Sequence, residues 1–202
     1  LQEVRNLQRS ELREAGEGFD IKKQVGSSTM AHKKNPIKSE NACGLARIVR
    51  AMIIPTYENA LLWHERDLAN SSSERFTLSH ASALCEDVLA KTRDVLTNMW
   101  VDAERCLQNI KSQKGLVMAE KVMIDLVDHG IPRDEAHEIL RAASFEAVDK
   151  NIELIDVCSR TPEIVAAFSA EELEAMFEPA NHIGVAGEIV DECVALARQA
   201  IA

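Results

Sequence analysis

Apolar residues recur at helical spacing along most of this 202-residue chain, and this periodicity constrains the fold more than any other feature. It is clearest between Ser79 and Trp100, where leucine, valine and methionine alternate in groups with polar residues. Such spacing places apolar side chains on one face of a helix, and no segment shows the sustained alternation of a half-buried strand. The chain is therefore predicted to be all-α, with long bundle helices followed by a small helical domain.

The boundaries of the first helices follow from breakers and caps. A polar, glycine-containing stretch over residues 15–36 predicts a long loop, and such loops often carry function. A helix with Ser39 as its cap is predicted to follow and to be interrupted by Pro55. The predicted inward residues are Leu45, Ile48, Val49, Met52 and Ile53 in this helix, and Leu84, Val88, Leu89, Val95, Leu96 and Met99 in the helix from Ser79 to Trp100.

A polar segment at residues 108–115 predicts a domain boundary, with one domain over residues 1–112 and a second over residues 113–202. The chain begins within a helical pattern, without a capping residue or an initiator methionine, so we expect it to be part of a longer protein. Local signals in the second domain are Gly130 as a helix-ending glycine, Pro132 and Thr161-Pro162 as helix starts with proline at the first position, Ser169 with Glu172 as a capping box, and a last helix from Val185 to Ala202.

Composition argues against several classes of protein. No run approaches the roughly 20 apolar residues that cross a bilayer. The net charge of −10 argues against nucleic acid or an anionic membrane as the main partner. Five cysteines without a CxxC pair indicate reduced thiols in a cytoplasmic protein. The six histidines form no metal-binding motif, so we predict no metal site.

The charge is unevenly distributed. Residues 21–50 contain seven lysines and arginines, and Glu40 is the one acidic residue among them. A basic island in an acidic chain favours a small polyanionic ligand as partner. A solvated basic turn is the alternative, and charge alone does not exclude it.

The stretch 26–36, GSSTMAHKKNP, carries groups suited to proton abstraction beside a carboxylate. A serine or threonine hydroxyl can take the proton, while Lys33 and Asn35 can stabilise the oxyanion that develops. Glycine allows the backbone to bring these groups close to a ligand. On composition alone, a flexible surface loop with ordinary turn chemistry is the simpler interpretation.

The order of these residues resembles the signature loop of the fumarase/aspartase superfamily, GSSxMPxKxNP, with Ala31 in place of the usual proline. Residues 63–75, WHERDLANSSSER, resemble the corresponding pattern of the adenylosuccinate lyase family, as do the flanking KSEN, GLARIVRA and YENALL. The resemblance extends well over about residues 20–130. It implies elimination of fumarate from adenylosuccinate to give AMP, and from the succinyl-carboxamide ribotide of purine biosynthesis. It also implies a cofactor-free homotetramer whose sites combine segments of three subunits.

The resemblance assigns roles residue by residue. It makes Ser27 the general base, with Lys33 and Asn35 binding the carboxylate that gains charge. Glu40 would orient the catalytic histidine, although a first-turn glutamate favoured by the helix dipole is an equal alternative. The residues that would contact the substrate are Ser28, Thr29, Met30, His32, Arg66, Ser71 and Arg75.

The two arginines would hold the nucleotide phosphate, because guanidinium groups bind phosphate well. The alternative is a surface ion-pair network with the neighbouring carboxylates. We expect His64 to be structural, and Trp63 and Met30 to be packing residues. The resemblance places the proton-donating histidine upstream of Leu1, so we expect the chain alone to be inactive.

Two other functions remain open. One is another lyase or cycloisomerase of the superfamily, such as argininosuccinate lyase, aspartase or carboxymuconate cycloisomerase, although the 63–75 segment speaks against each. The other is a non-catalytic helical assembly protein that retains the loop. A substrate panel and the upstream sequence would distinguish them.

Overall fold

The computed structural model describes residues 1–20, 27–30 and 32–201. Helices dominate it, so the predicted all-α class is confirmed. The chain divides into two compact units, Leu1–Cys106 and Leu107–Ala202. The functional domain boundary placed at residue 112 stays a prediction.

The elements of the first unit are α1 (Gln2–Leu7), β1 (Ala15–Gly16), α2 (Ile37–Ala51), α3 (Ile53–Glu58), α4 (Ala69–Asn98) and β2 (Trp100–Val101). The division between units falls within α5 (Ala103–Lys111). The second unit continues with α6 (Ala119–Asp128), α7 (Arg133–Lys150), α8 (Leu154–Cys158), α9 (Pro162–Ala167), α10 (Ala170–Met176) and α11 (Ala186–Ile201). Short 3₁₀ turns occupy Leu116–Met118 and Pro179–His182.

Helices α2 and α4 form an antiparallel hairpin that is the framework of the first unit. Lys38, in the first turn of α2, forms an ion pair with Asp94 near the end of α4. Asn59, which follows α3, instead donates from Nδ2 to Ser73 Oγ near the start of α4, at 3.2 Å. The thirty residues of α4 contain neither glycine nor proline. At about 1.5 Å per residue, α4 is about 45 Å long.

The helix starts differ from the prediction in two places. Pro36 is the N-cap of α2, so Ser39 is not the cap but lies in the first turn, fully buried. Helix α4 begins at Ala69, ten residues before the predicted start. Serines favour caps over helix interiors, but Asp67 Oδ1 accepts the Ala69 N–H at 3.0 Å and helps to start the helix there. Pro55 interrupts the helical run as predicted, because it has no N–H for the Ala51 carbonyl.

Several side chains predicted to face inward are exposed. Ile48 is 51% exposed, Leu89 67% and Leu96 58%, whereas Val95 is buried. Helices α2 and α3 cover one side of α4. Helical periodicity thus predicted where apolar faces lie, but it could not tell which of them this chain covers by itself.

A short antiparallel pair, which the sequence analysis missed, ties β1 to β2. Ala15 pairs with Val101, and Gly16 pairs with Trp100. A Cβ on Gly16 would lie 2.5 Å from Trp100 Cζ2, and one on Gly18 would lie 2.3 Å from the Asn98 carbonyl oxygen. Glycine therefore permits the close approach of this segment to the end of α4. Strands of two residues are too short to show alternation.

The second unit has its own apolar core, formed by α6 to α10. The predicted capping box is confirmed: the Ser169 N–H donates to Glu172 at 2.8 Å, and the Glu172 N–H donates to Ser169 Oγ at 3.2 Å. Gly130 follows α6 with φ of 93°, as a helix-ending glycine does. Pro132 is the N-cap of α7, one position before the predicted one. Pro162 occupies the first turn of α9 after the Thr161 N-cap, as predicted.

Candidate active site

The described part of the signature loop begins with a turn centred on a serine hydroxyl; Gly26 and Ala31 lie outside the described residues. Ser27 Oγ accepts the Thr29 N–H at 3.2 Å and the Met30 N–H at 3.0 Å. These contacts stabilise the turn, as serine hydroxyls commonly do. They also direct two donors at the oxygen, and donors of this kind stabilise the ionised form of a hydroxyl.

The second half of the loop leads directly into α2. Asn35 is half-buried, and its carbonyl oxygen accepts the Ile37 N–H at 2.9 Å. The Lys33 side chain is exposed, and the backbone N–H of Lys33 donates to the Met30 carbonyl at 3.0 Å. Glu40 lies in the first turn of α2 with an exposed side chain. The predicted base, carboxylate-binding pair and glutamate thus belong to one continuous loop and the helix turn that follows it.

A cleft of about 870 Å³ opens beside this loop. The loop contributes His32, Lys33 and Lys34 to its wall, and the segment after α1 adds Arg13. Most cationic groups of the wall therefore come from the loop that the sequence singled out. The remaining wall residues are Gln8, Ser10, Glu17, Phe19, Trp100 and Asp102. The size and charge of the cleft fit a small anionic ligand.

Residues 63–69 form a turn organised by one carboxylate. Asp67 Oδ1 accepts the Ala69 N–H and Oδ2 accepts the Trp63 N–H, each at 3.0 Å. These two backbone donors lower the pKa of the Asp67 carboxyl, and the Ala69 N–H has the larger effect. His64 takes the left-handed conformation within the turn, with φ of 57°. Trp63 is 74% exposed, so the prediction that it packs is wrong for this chain.

Ser71 and Arg75 lie four residues apart on α4 and therefore share a face. The guanidinium-bearing side chains of Arg66 and Arg75 are both exposed. None of the ion pairs between described residues involves either arginine, so the ion-pair network considered as an alternative is not formed there. Arg66 precedes α4, and Ser71 lies in the first turn of α4, where the helix dipole favours anions; Arg75 follows in the second turn.

The loop and the arginine segment lie at opposite ends of the helical hairpin. The loop ends beside the ion pair of Lys38 with Asp94, whereas Arg75 precedes Asp94 by nineteen residues on α4. At about 1.5 Å per residue this is a separation of about 28 Å along the helix. Within one chain, the two groups of predicted site residues therefore do not converge.

Two residues behind the loop were not predicted from the sequence. Glu17 is 3% exposed, and its carboxylate accepts the N–H groups of Lys38 at 3.1 Å and Ser39 at 2.8 Å. Gln8 accepts the Glu17 N–H at 2.8 Å and donates to the Lys34 carbonyl at 3.0 Å. The one available signal was indirect: α2 follows Pro36, which has no side chain able to cap a helix.

No three or more histidine, cysteine, aspartate or glutamate side chains among residues 1–20, 27–30 and 32–201 are grouped to hold a metal ion. In those ranges, no helix has the length and apolarity to cross a membrane.

Both units match families of known proteins. Residues 115–193 match the family model described as adenylosuccinate lyase C-terminus, and residues 1–51 match the model described as lyase. The adenylosuccinate lyase of Archaeoglobus fulgidus is 43% identical over 94% of this chain and 43% of its own length. That of Methanothermobacter thermautotrophicus is 44% identical over 94% of this chain and 42% of its own length. The chain thus spans about two fifths of these curated relatives.

A solved structure agrees with these matches at the level of the fold. The 3-carboxy-cis,cis-muconate lactonizing enzyme of Pseudomonas putida superposes with a TM-score of 0.85 and 29% identity, covering 100% of this chain and 43% of that one. Two family models and relatives above 40% identity therefore point in the same direction as the signature loop. The chain belongs to the adenylosuccinate lyase family of the fumarase/aspartase superfamily.

Proposed function

We propose that the protein carrying this chain is an adenylosuccinate lyase. It would cleave adenylosuccinate to AMP and fumarate, and the succinyl-carboxamide ribotide to its carboxamide and fumarate. Sequence identity supports this over a cycloisomerase, because the two archaeal adenylosuccinate lyases are 43% and 44% identical whereas the muconate lactonizing enzyme is 29% identical.

The observation that carries the proposal is the pair of N–H groups directed at Ser27 Oγ. Ser27 removes a proton from the succinyl carbon beside a carboxylate, and its ionised oxygen is stabilised by those donors. Lys33 and Asn35 bind the carboxylate that gains charge as the carbanion forms, which is a large contribution to rate. The carbon–nitrogen bond then breaks with its electron pair on nitrogen. A histidine from outside these 202 residues, oriented by Glu40, protonates that nitrogen.

The nucleotide phosphate would be bound at the start of α4. Arg66 and Arg75 offer exposed guanidinium groups without carboxylate partners among the described residues, and Ser71 shares a face with Arg75. The loop residues Ser28, Thr29, Met30 and His32 would contact the rest of the substrate. The proposed reaction uses no metal or organic cofactor and takes place in the cytoplasm.

The protein would act as a homotetramer with shared active sites. Two features support this arrangement. The loop and the arginine segment of one chain lie at opposite ends of a hairpin about 28 Å apart, so each site needs segments of different subunits. The exposed apolar residues of α2 and α4, such as Ile48 and Leu89, provide faces for other subunits to cover.

A serine variant tests the proposal in a full-length protein that carries this chain. Ser27→Ala should lower kcat for fumarate release at least about a hundredfold, while substrate binding is largely kept. Ser112→Ala is the matched control, because it removes an exposed hydroxyl that donates to the Asn109 carbonyl, away from the loop, and should retain the turnover. Near-normal kcat in Ser27→Ala would remove Ser27 from the role of base. A substrate panel that showed no turnover of adenylosuccinate but turnover of another superfamily substrate would reject the substrate assignment.

A further inference from the structure

Glu17 is a buried carboxylate with no role in the reaction described above. It lies 3% exposed in the segment after β1, and three of its hydrogen bonds go to the first turn of α2. The Lys38 N–H donates to Oε1 at 3.1 Å, and the Ser39 N–H donates to Oε2 at 2.8 Å. The Ser39 hydroxyl donates to Oε2 as well, at 2.9 Å.

These bonds replace a local helix cap. The N-cap of α2 is Pro36, which offers no side-chain acceptor, so the first N–H groups of the helix need a partner from elsewhere. A carboxylate at this position is favoured by the N–H groups and by the helix dipole. Because Glu17 lies 21 residues before Lys38, it fixes the start of α2 to a segment that is distant along the chain rather than to the adjacent residues.

Gln8 makes a second anchor on the same loop. Its Oε1 accepts the Glu17 N–H at 2.8 Å, and its Nε2 donates to the Lys34 carbonyl at 3.0 Å. Lys34 lies between Lys33 and Asn35, the pair proposed to bind the substrate carboxylate. Gln8 therefore holds the loop at Lys34, between the two members of the pair, and Glu17 holds it at Lys38 and Ser39, just after the pair.

The supporting segment is itself fixed. Gly16, next to Glu17, pairs with Trp100, and the Asp102 N–H donates to the Glu14 carbonyl at 2.8 Å. The close packing at Gly16 and Gly18 leaves no room for even a Cβ. Glu17 thus follows a segment that is tied to β2 by backbone hydrogen bonds and close packing, as a support for catalytic geometry requires.

We propose that Glu17, assisted by Gln8, is a positioning residue that sets the geometry of the Lys33–Asn35 carboxylate clamp. This inference rests on the proposed lyase function. It predicts that Glu17 contributes to kcat through the loop, in addition to stabilising the helix start. Substrate affinity depends on many other contacts and should change much less.

The test is Glu17→Gln in a full-length protein that carries this chain, with adenylosuccinate as substrate. The glutamine amide has the same shape as the carboxylate. However, its NH₂ group replaces one carboxylate oxygen and faces an N–H donor of α2, which needs an acceptor. We expect kcat to fall about 10- to 100-fold, the cost of a small misplacement of reacting groups. KM should change by less than roughly threefold, as expected for loss of interactions that tighten in the transition state.

The matched control is Glu172→Gln, which breaks the capping box of α10 in the second unit. It should lower the melting temperature without lowering kcat. Unchanged kcat in Glu17→Gln, with a lower melting temperature as in the control, would overturn the proposal and leave Glu17 a purely structural cap.

A second variant covers the case in which Glu17→Gln does not fold. Gln8→Ala removes the anchor on the Lys34 carbonyl and should lower kcat in the same direction; unchanged kcat there would also overturn the proposal. The unsubstituted protein is measured in parallel. Its failure to cleave adenylosuccinate would reject the proposed function itself, which is a different result from activity that survives both substitutions.

Discussion

Complementation between two impaired variants can show whether the loop and the arginine segment serve different sites. One full-length chain carries Ser27→Ala and the other carries Arg75→Leu. In the structure, Arg75 lies nineteen residues before Asp94 on α4, and Asp94 adjoins the loop end of the hairpin. The resulting separation of about 28 Å between Arg75 and the loop end of the hairpin is too long for one small substrate to bridge within a single chain.

The expected recovery follows from random assembly. A site works when its loop comes from an Arg75→Leu chain and its arginine comes from a Ser27→Ala chain. In an equimolar mixture each condition is met about half the time, so about one quarter of wild-type activity should return. The assay is fumarate release after joint refolding or co-expression. Each variant carries a different affinity tag, and purification on the two tags in series establishes that mixed oligomers have formed.

The control mixture combines Ser27→Ala with Lys33→Ala. Both residues belong to one continuous loop, so every loop in the mixture lacks one of them and no activity should return. If the Ser27→Ala and Arg75→Leu mixture stays inactive although mixed oligomers are present, the two residues act in the same chain and the reasoning from helix length is refuted. Equal recovery in both mixtures would refute it as well.

Three further predictions concern single properties of the chain. Arg75→Leu in the full-length protein should weaken AMP binding by about 2 kcal/mol, as for a lost charge-assisted bond, and adenosine binding far less; calorimetry that shows equal losses would contradict the phosphate assignment. Burial raises the pKa of the Cys158 thiol from 9.0 to about 11. The folded-state pKa is higher than the unfolded-state pKa. The contribution of Cys158 to the free energy of unfolding is therefore complete below pH 9 and is lost as the pH rises towards 11, by up to about 1.4 kcal/mol per pH unit. Urea unfolding of the protein and of Cys158→Ala at pH 8 and pH 10 measures this, and equal pH dependence would contradict it. The 202-residue chain alone should release no fumarate, since an acid typically contributes about 10²–10⁴-fold; robust turnover would place the acid within it, with His32 and His64 the first to substitute.

The sequence was informative wherever the cause of structure is local. Helical periodicity predicted the all-α class, Pro55 the interruption after α2, and Ser169 with Glu172 a capping box that the structure contains. The candidate site residues came from an ordered motif rather than from composition. Order within a few residues is what a sequence displays directly, and a turn such as that of Ser27 with Thr29 needs nothing more distant.

Tertiary structure decided what depends on distant partners. The missed start of α4 at Ala69, in place of Ser79, is stabilised by Asp67 and by the contact of Asn59 with Ser73. The exposure of Leu89 and Leu96 depends on which helices are present to cover α4, which periodicity does not contain.

Glu17 shows the same limit within the candidate site. Its sequence neighbours give no sign that it caps a helix 21 residues later, because the cap exists only once β1, β2 and α2 have come together. The sequence by itself thus predicted which residues would perform the chemistry. The folded chain decided which residues support them, and that the two groups lie at opposite ends of a hairpin, because both depend on hydrogen bonds and packing between segments far apart in sequence.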